Sequence, residues 1–282
     1  MGSVEGQRRS ARPSDNQYKE LEVKTLLLEE MTSAQIRKAI DEGYKTVIVA
    51  AGSIEQHGKH LPVGTDTMGG YDMAVSIANG LGHTLVAPVI RPGCSDHHMA
   101  FSGTISISAE LLKELCRAYC RCLCQHGFET IVLIAAHGGN IEPMQEVAPE
   151  LDEELPCTVV APVLLGDRLL EATDPILPGY GVTPEEGGLH AGFAETSMVL
   201  ATPYAHLVDM PAAERGFVGD IWARLAEVTR DGHYDLAEIS PVGVLGDATK
   251  ASAEAGHALN AASDAVYLEI VREALRNAKD RT

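Results

Sequence analysis

The chain has 282 residues, 45% of them hydrophobic and 22% charged, with a formal net charge of -18 at pH 7. That length is enough for one large domain with a sizeable core. The acidic balance argues against a nucleic-acid partner, which needs clustered Lys and Arg, and the longest apolar runs fall far short of the roughly 18 residues of a membrane span.

In chain order, residues 1–20 read as a flexible polar tail, with Arg8 and Arg9 but no apolar core of a secretory signal, leaving 21–282 as a single domain. Lys24 to Glu29 suggests a first strand. Thr32 followed by Gln35 is capping-box spacing and opens a helix to about Glu42. Thr46 to Ala51 is an apolar, β-branched run between Gly43 and Gly52, which predicts a buried strand. The alternation continues with a helix from about Gly69 to Gly80, a strand at Thr84 to Val89 and a helix from Ala109 to His126. A strand at Thr130 to Ala136, a helix from Glu142 to Glu154 and a strand at Cys157 to Val163 follow. This rhythm predicts an α/β fold: a single domain whose largely parallel sheet is flanked by helices on both faces. Ligands of such sheets bind beyond the carboxyl ends of the strands. Downstream, Asp174 to Gly188 reads as a Gly/Pro-rich loop, Ala191 to Leu200 as a helix, and Ala251 to Ala278 as a long helix interrupted at Gly256.

Cys116, Cys120 and Cys124 repeat every four residues and so stack on one face of their helix. A buried face of small hydrophobes is expected there. A thiolate metal site is the alternative, but no Cys-x-x-Cys pair or second cluster supports it. Reduced cysteines fit a cytoplasmic location.

Three polar clusters stand at strand ends or loop-to-helix junctions. The first runs Gly52-Ser53-Ile54-Glu55-Gln56-His57-Gly58-Lys59-His60-Leu61-Pro62 and on to Asp66. Glu55 and His57 are two apart, so an extended segment points both the same way, and Pro62 and Gly64 favour a turn that returns Asp66 toward them. A solvated loop is the bland reading. The second cluster is His137-Gly138-Gly139-Asn140; His137 is a candidate ligand, and the alternative is an anion-binding turn of glycine amides. The third, His190-Ala191-Gly192-Phe193-Ala194-Glu195-Thr196-Ser197, places His190 before a helix and Glu195 inside it. Together these residues are a mixed N/O donor set, which suits Zn, Mn or Fe. Two ions bridged by one carboxylate would polarise a carbonyl and lower the pKa of a water, as amide hydrolysis at neutral pH requires.

Glu55-Gln56-His57-Gly58, His60-Leu61-Pro62, Asp66, His137-Gly138-Gly139-Asn140 and His190-Ala191-Gly192 leading to Glu195-Thr196-Ser197 resemble the motifs of the creatininase family, in order and over nearly the whole chain. The resemblance implies a single α/β domain, two divalent metal ions, hydrolysis of non-peptide C–N bonds and a homo-oligomer, often a hexamer. It also implies that Glu55, Asp66 and His137 hold one ion, that His57 and the bridging Asp66 hold the other, and that His190 transfers the proton. The family's creatinine-hydrolysing members carry a ligand Glu where this chain has Gly139, so Glu195 is a candidate to complete the second site. They also clamp their substrate with tryptophans, which the neighbourhood of Glu186 lacks, so creatinine is not expected as substrate. Between the first two clusters, Ser95 to Thr104 reads as a substrate-facing loop, with a structural turn as the alternative. His98, Phe101 and, from the later loop, Glu186 are its candidate substrate-binding residues, with at most one of His97 and His98 reaching an ion.

The expected activity is thus metal-dependent hydrolysis of a cyclic amide or formamide-like bond in a small molecule. A lactone or peptide hydrolase on the same metal site, or a non-catalytic small-molecule-binding protein, are the alternatives. Binding proteins have no use for Glu55 and Asp66 beside an anion cradle. No nucleic acid and no membrane are expected as partners.

Overall fold

The structure, a computed structural model, describes residues 24–280, so the expected tail at 1–20 lies outside the described residues. Four parallel strands form its sheet in the order β2-β1-β3-β4: β1 Thr46–Ala51, β2 Thr84–Val86, β3 Thr130–Ala135 and β4 Thr158–Val160. The central pair is in register from Thr46 opposite Thr130 to Ala51 opposite Ala135. The outer strands are shorter than expected. Each runs into an Ala-Pro step, Ala87-Pro88 and Ala161-Pro162, and proline has no N–H to continue a ladder. The strand expected at Lys24 to Glu29 shrinks to one parallel bridge, Leu27 to Val86, because Leu28–Glu30 turns into a 3-10 helix.

Helices cover both faces. α1 (Ser33–Asp41) starts at the expected capping box, with the Thr32 hydroxyl accepting from the Gln35 N–H and the Gln35 side chain accepting from the Thr32 N–H. α2 (Thr65–Leu81), α3 (Ala109–His126) and α4 (Ile141–Glu154) follow. Strand residues alternate between faces, so Val47, Val49 and Ala51 pack with Leu112, Cys116, Cys120 and Leu151, while Ile48 and Ala50 pack with Met73, Ala74 and Ile77. Each fully buried Ile or Leu contributes roughly 1.5–3 kcal/mol. The cysteine stripe belongs to the first layer. Burial raises the Cys116 and Cys157 thiols to about 12, so they stay protonated and pack as hydrophobes.

Beyond β4 come α5 (Asp167–Thr173), the short α6 (Pro184–Gly187), α7 (Phe193–Leu200), α8 (Ile221–Val228), α9 (Leu236–Ile239) and α10 (Ala253–Lys279). The interruption expected at Gly256 does not occur. Gly256 lies where α10 crosses α7, and a Cβ there would stand 1.8 Å from the Ser197 carbonyl oxygen, so the glycine admits close approach rather than a break. Among the described residues no helix is long and apolar enough to cross a membrane.

Chain connections leave β1 for β2 on one side, whereas β3 leads to β4 on the other. The crevice beyond the carboxyl ends of β1 and β3 is therefore the topological switch point, the place where parallel sheets bind ligands.

Candidate metal centre

The first cluster leaves the end of β1, and Gly52 lets it pass close under α2: a Cβ at Gly52 would meet Thr67 Cα at 2.7 Å and the Asp66 carbonyl at 2.8 Å. Glu55 and His57 are buried there. α2 starts four residues before the expected Gly69, so Asp66 sits in its first turn, where the helix N-terminus favours a carboxylate. The expected turn is present, closed by the Thr65 N–H on the Pro62 carbonyl at 3.1 Å, and it leads straight into the helix that carries Asp66.

The second cluster leaves β3. Asn140 ties it down, accepting from the Cys94 N–H (2.9 Å) and donating to the Ala51 and Gly52 carbonyls (3.1 and 3.0 Å). Position 139 is sealed as well. A Cβ on Gly139 would lie 2.1 Å from the Cys94 carbonyl oxygen, so no glutamate fits where the creatinine-hydrolysing pattern has one. The vacated role is open to the third cluster, in which Ala191 (φ +51°) turns the chain into α7 and Glu195 stands in its first turn.

Three imidazoles converge with a shared wiring. His57 Nδ1 donates to the Glu55 carbonyl (3.1 Å), His137 Nε2 to the Cys94 carbonyl (3.0 Å) and His190 Nε2 to the Gln56 carbonyl (2.9 Å). Each ring therefore turns its other nitrogen inward, the outer-shell arrangement of a metal-ligating histidine. His57 Nε2 is 3.4 Å from Asp66 Oδ1 and 3.4 Å from Glu195 Oε1. His137 Nδ1 is 3.3 Å from Glu55 Oε2 and 3.7 Å from Asp66 Oδ2. One oxygen of Asp66 faces each group, so the carboxylate stands between two nests of donors. His190 Nδ1 lies 3.7 Å from Glu55 Oε1, and its ring packs 4.3 Å from that of His57.

Glu55 Oε2, His57 Nε2 and Asp66 Oδ2 are buried and have no hydrogen-bond partner. Such orphans cost free energy unless something satisfies them, and carboxylates beside imidazole nitrogens are the donor set that divalent cations take. Electrostatics agree. Burial raises Glu55 to about 7 against the pull of His137, whereas at Asp66 and Glu195 the neighbouring His57 outweighs burial and holds the carboxyls low. Burial works against a charged His57, but Asp66 and Glu195 prevail and lift it well above its usual value. The residues present therefore fit divalent metal ions.

The loop Ser95 to Thr104 does reach the site. His98 is buried, with Nδ1 2.9 Å from Gln56 Nε2 and Nε2 3.6 Å from Glu55 Oε1. His97, expected at most to compete with His98, stacks on His137 (5.7 Å, 10° between planes), and its ring can join Glu55 and His137 around one ion. Tyr234 closes over His97 at 5.1 Å. Two residues expected to bind substrate make other contacts in this structure. Glu186 caps α6 and spends its carboxylate on Arg215 (3.0 Å) and Lys250 (2.9 Å), because the loop that carries it packs away as a salt-bridged corner. Phe101 packs on Val228, Leu236, Ile239 and Leu245, an apolar cluster that α8 and α9 leave needing cover. Sequence reading passed over Gln56 and Tyr234. Gln56 was in the motif; Tyr234 carries no spacing signal.

Residues 29–270 match the family model described as creatininase, creatinine amidohydrolase. The chain is 32% identical over 223 residues to the mycofactocin precursor peptide peptidase of Mycobacterium ulcerans, which covers 76% of this chain and 79% of that relative. It is 28% identical over 245 residues to the 3-dehydro-scyllo-inosose hydrolase of Thermotoga maritima, covering 79% and 75% of the two chains. Among solved structures, one described as "Creatininase Mn" superposes with a TM-score of 0.69 at 23% identity, over 89% of this chain and 98% of that one, which shows a shared fold.

Proposed function

The chain belongs to the creatininase family of metal-dependent hydrolases, and from that premise we propose that it cleaves the C–N bond of an amide at a pair of divalent ions. His57, Asp66 and Glu195 would hold one ion, and Glu55, Asp66 and His137 the other, with His97 beside the second. The observation that carries this reading is the orphaned inward face of Glu55, His57 and Asp66, backed by imidazoles whose outer nitrogens are tied to main-chain carbonyls. Bound divalent ions supply Lewis acidity, polarising a carbonyl and lowering the pKa of a water.

The chain's own residues then do the following. Asp66 fixes the spacing of the two nests through its two oxygens. His190, with its Nδ1 3.7 Å from Glu55 Oε1, is placed to take a proton and pass it to the departing nitrogen; burial and the neighbouring His57 hold its pKa well below the usual value, so it starts neutral. His98 and Tyr234 line the approach.

The sequence pointed to non-peptide amides. The name of the Mycobacterium relative favours a peptide amide instead, and we take a peptide C–N bond as the leading substrate class; the Thermotoga relative supports a small cyclic compound as the second reading. A panel of short peptides, cyclic amides and formamides assayed by mass spectrometry separates them. Hydrolysis should vanish with a strong chelator and return with manganese or zinc; full turnover in metal-free protein would overturn the proposal.

A further inference from the structure

The strand-end motif holds an amide, Gln56, that the proposed chemistry leaves unused, yet its side chain is buried at 4% exposure and touches three different segments. Its oxygen is identified by its partner: the Gly58 N–H donates to Gln56 Oε1 at 2.9 Å. The NH2 group therefore faces the other side, where it lies 3.1 Å from the Gly243 carbonyl, 2.9 Å from His98 Nδ1 and 3.0 Å from His190 Nε2.

An amide NH2 has two hydrogens and no lone pair to offer. The Gly243 carbonyl can only accept, so it takes one hydrogen. His190 Nε2 faces the Gln56 main-chain carbonyl at 2.9 Å, which can only accept, so that nitrogen carries a proton and cannot take the second hydrogen. His98 Nδ1 accepts it instead. Both tautomers follow. His98 carries its proton on Nε2, which points at Glu55 Oε1 from 3.6 Å; His190 carries none on Nδ1, which points at the same oxygen from 3.7 Å. The pocket is shaped around this amide: Gly243 has φ +71°, and a Cβ there would fall 2.0 Å from Gln56 Oε1.

We infer that Gln56 is a positioning residue that sets His98 as a hydrogen-bond donor and His190 as a proton acceptor on the two sides of Glu55. The functional half of this statement rests on the hydrolase reading; the tautomers do not. With His98 a donor, it serves the oxygen of a bound carbonyl rather than an ion, and His190 keeps the free lone pair that proton transfer needs.

The test is nitrogen NMR of full-length, metal-free protein labelled with 15N-histidine, read at mildly alkaline pH, with His98→Asn and His190→Asn used to assign the rings. Both rings should give the Nε2–H pattern. Gln56→Glu replaces the NH2 by an acceptor, so His98 should switch to Nδ1–H while His190, held by the main chain, stays as it was. In the metal-loaded variant, turnover should fall by about tenfold or more with metal content unchanged. An Nδ1–H tautomer at His98 in the unsubstituted protein overturns the inference, as does an unmoved His98 in Gln56→Glu. The unsubstituted spectrum decides even if the variant does not fold. Correct tautomers in a protein that hydrolyses no amide would instead sink the hydrolase reading and leave the wiring intact.

Discussion

At Glu55, burial outweighs the attraction of His137 and His57 and lifts the carboxyl to about 7, while His57 is held protonated by Asp66 and Glu195. An ion binds only the deprotonated forms of both. The sign follows: above about 7 Glu55 is already ionised and ready to ligate, and below it each pH unit costs about tenfold in affinity from this group, with displacement of the His57 proton adding to the slope. Titration of metal-free protein with zinc between about pH 6 and about pH 8 should show affinity rising with pH and protons released on binding. Flat affinity across that window would mean Glu55 is not a ligand. The residues that chemistry could recognise were legible in the sequence, since Glu55, His57, Asp66, His137, His190 and Glu195 all carry charge or a ligating ring and stand at strand or helix ends. Gln56 was not legible as a functional residue, because an amide matters only through its neighbours. The ion pairs of Glu186 with Arg215 and Lys250 were not legible either, because they join segments far apart in sequence.

Secondary-structure elements carry the site by being clamped. α7, which brings Glu195, is held at Thr196 by His60 Nε2 (2.9 Å), at Ser197 by the Ser252 N–H (3.1 Å), and by the close crossing with α10 at Gly256. Gly256→Ala should therefore destabilise the protein by about 1–3 kcal/mol and push α7 away from the site, because the new Cβ has no space beside the Ser197 carbonyl. Denaturant unfolding measures the first effect, and a weakened affinity for one ion in the still-folded fraction measures the second. Unchanged stability would show that the two helices can separate freely. The sequence suggested a break at this glycine because glycine weakens isolated helices. The crossing that needs it is a tertiary contact, invisible to local pattern. Likewise the outer strands end early at Pro88 and Pro162, a signal that was present in the sequence and outweighed by the apolar runs around it.

On the scale of the whole molecule, the parallel order β2-β1-β3-β4 places the clusters after β1 and β3 over one crevice, and the C-terminal third supplies His190 and Glu195 from the side. The alternation of strands and helices was readable from hydrophobic period. The convergence of distant loops was not, and it is what makes Tyr234 and His97 neighbours. The proposed role of Asp66 is to stand between two ions, with one oxygen facing His57 and the other His137. Elemental analysis of purified protein beside Asp66→Ala and Glu195→Ala tests it most directly. About two divalent ions per chain are predicted for the unsubstituted protein, close to none for Asp66→Ala, and about one for Glu195→Ala. An Asp66→Ala protein that stays folded and keeps both ions would contradict the account.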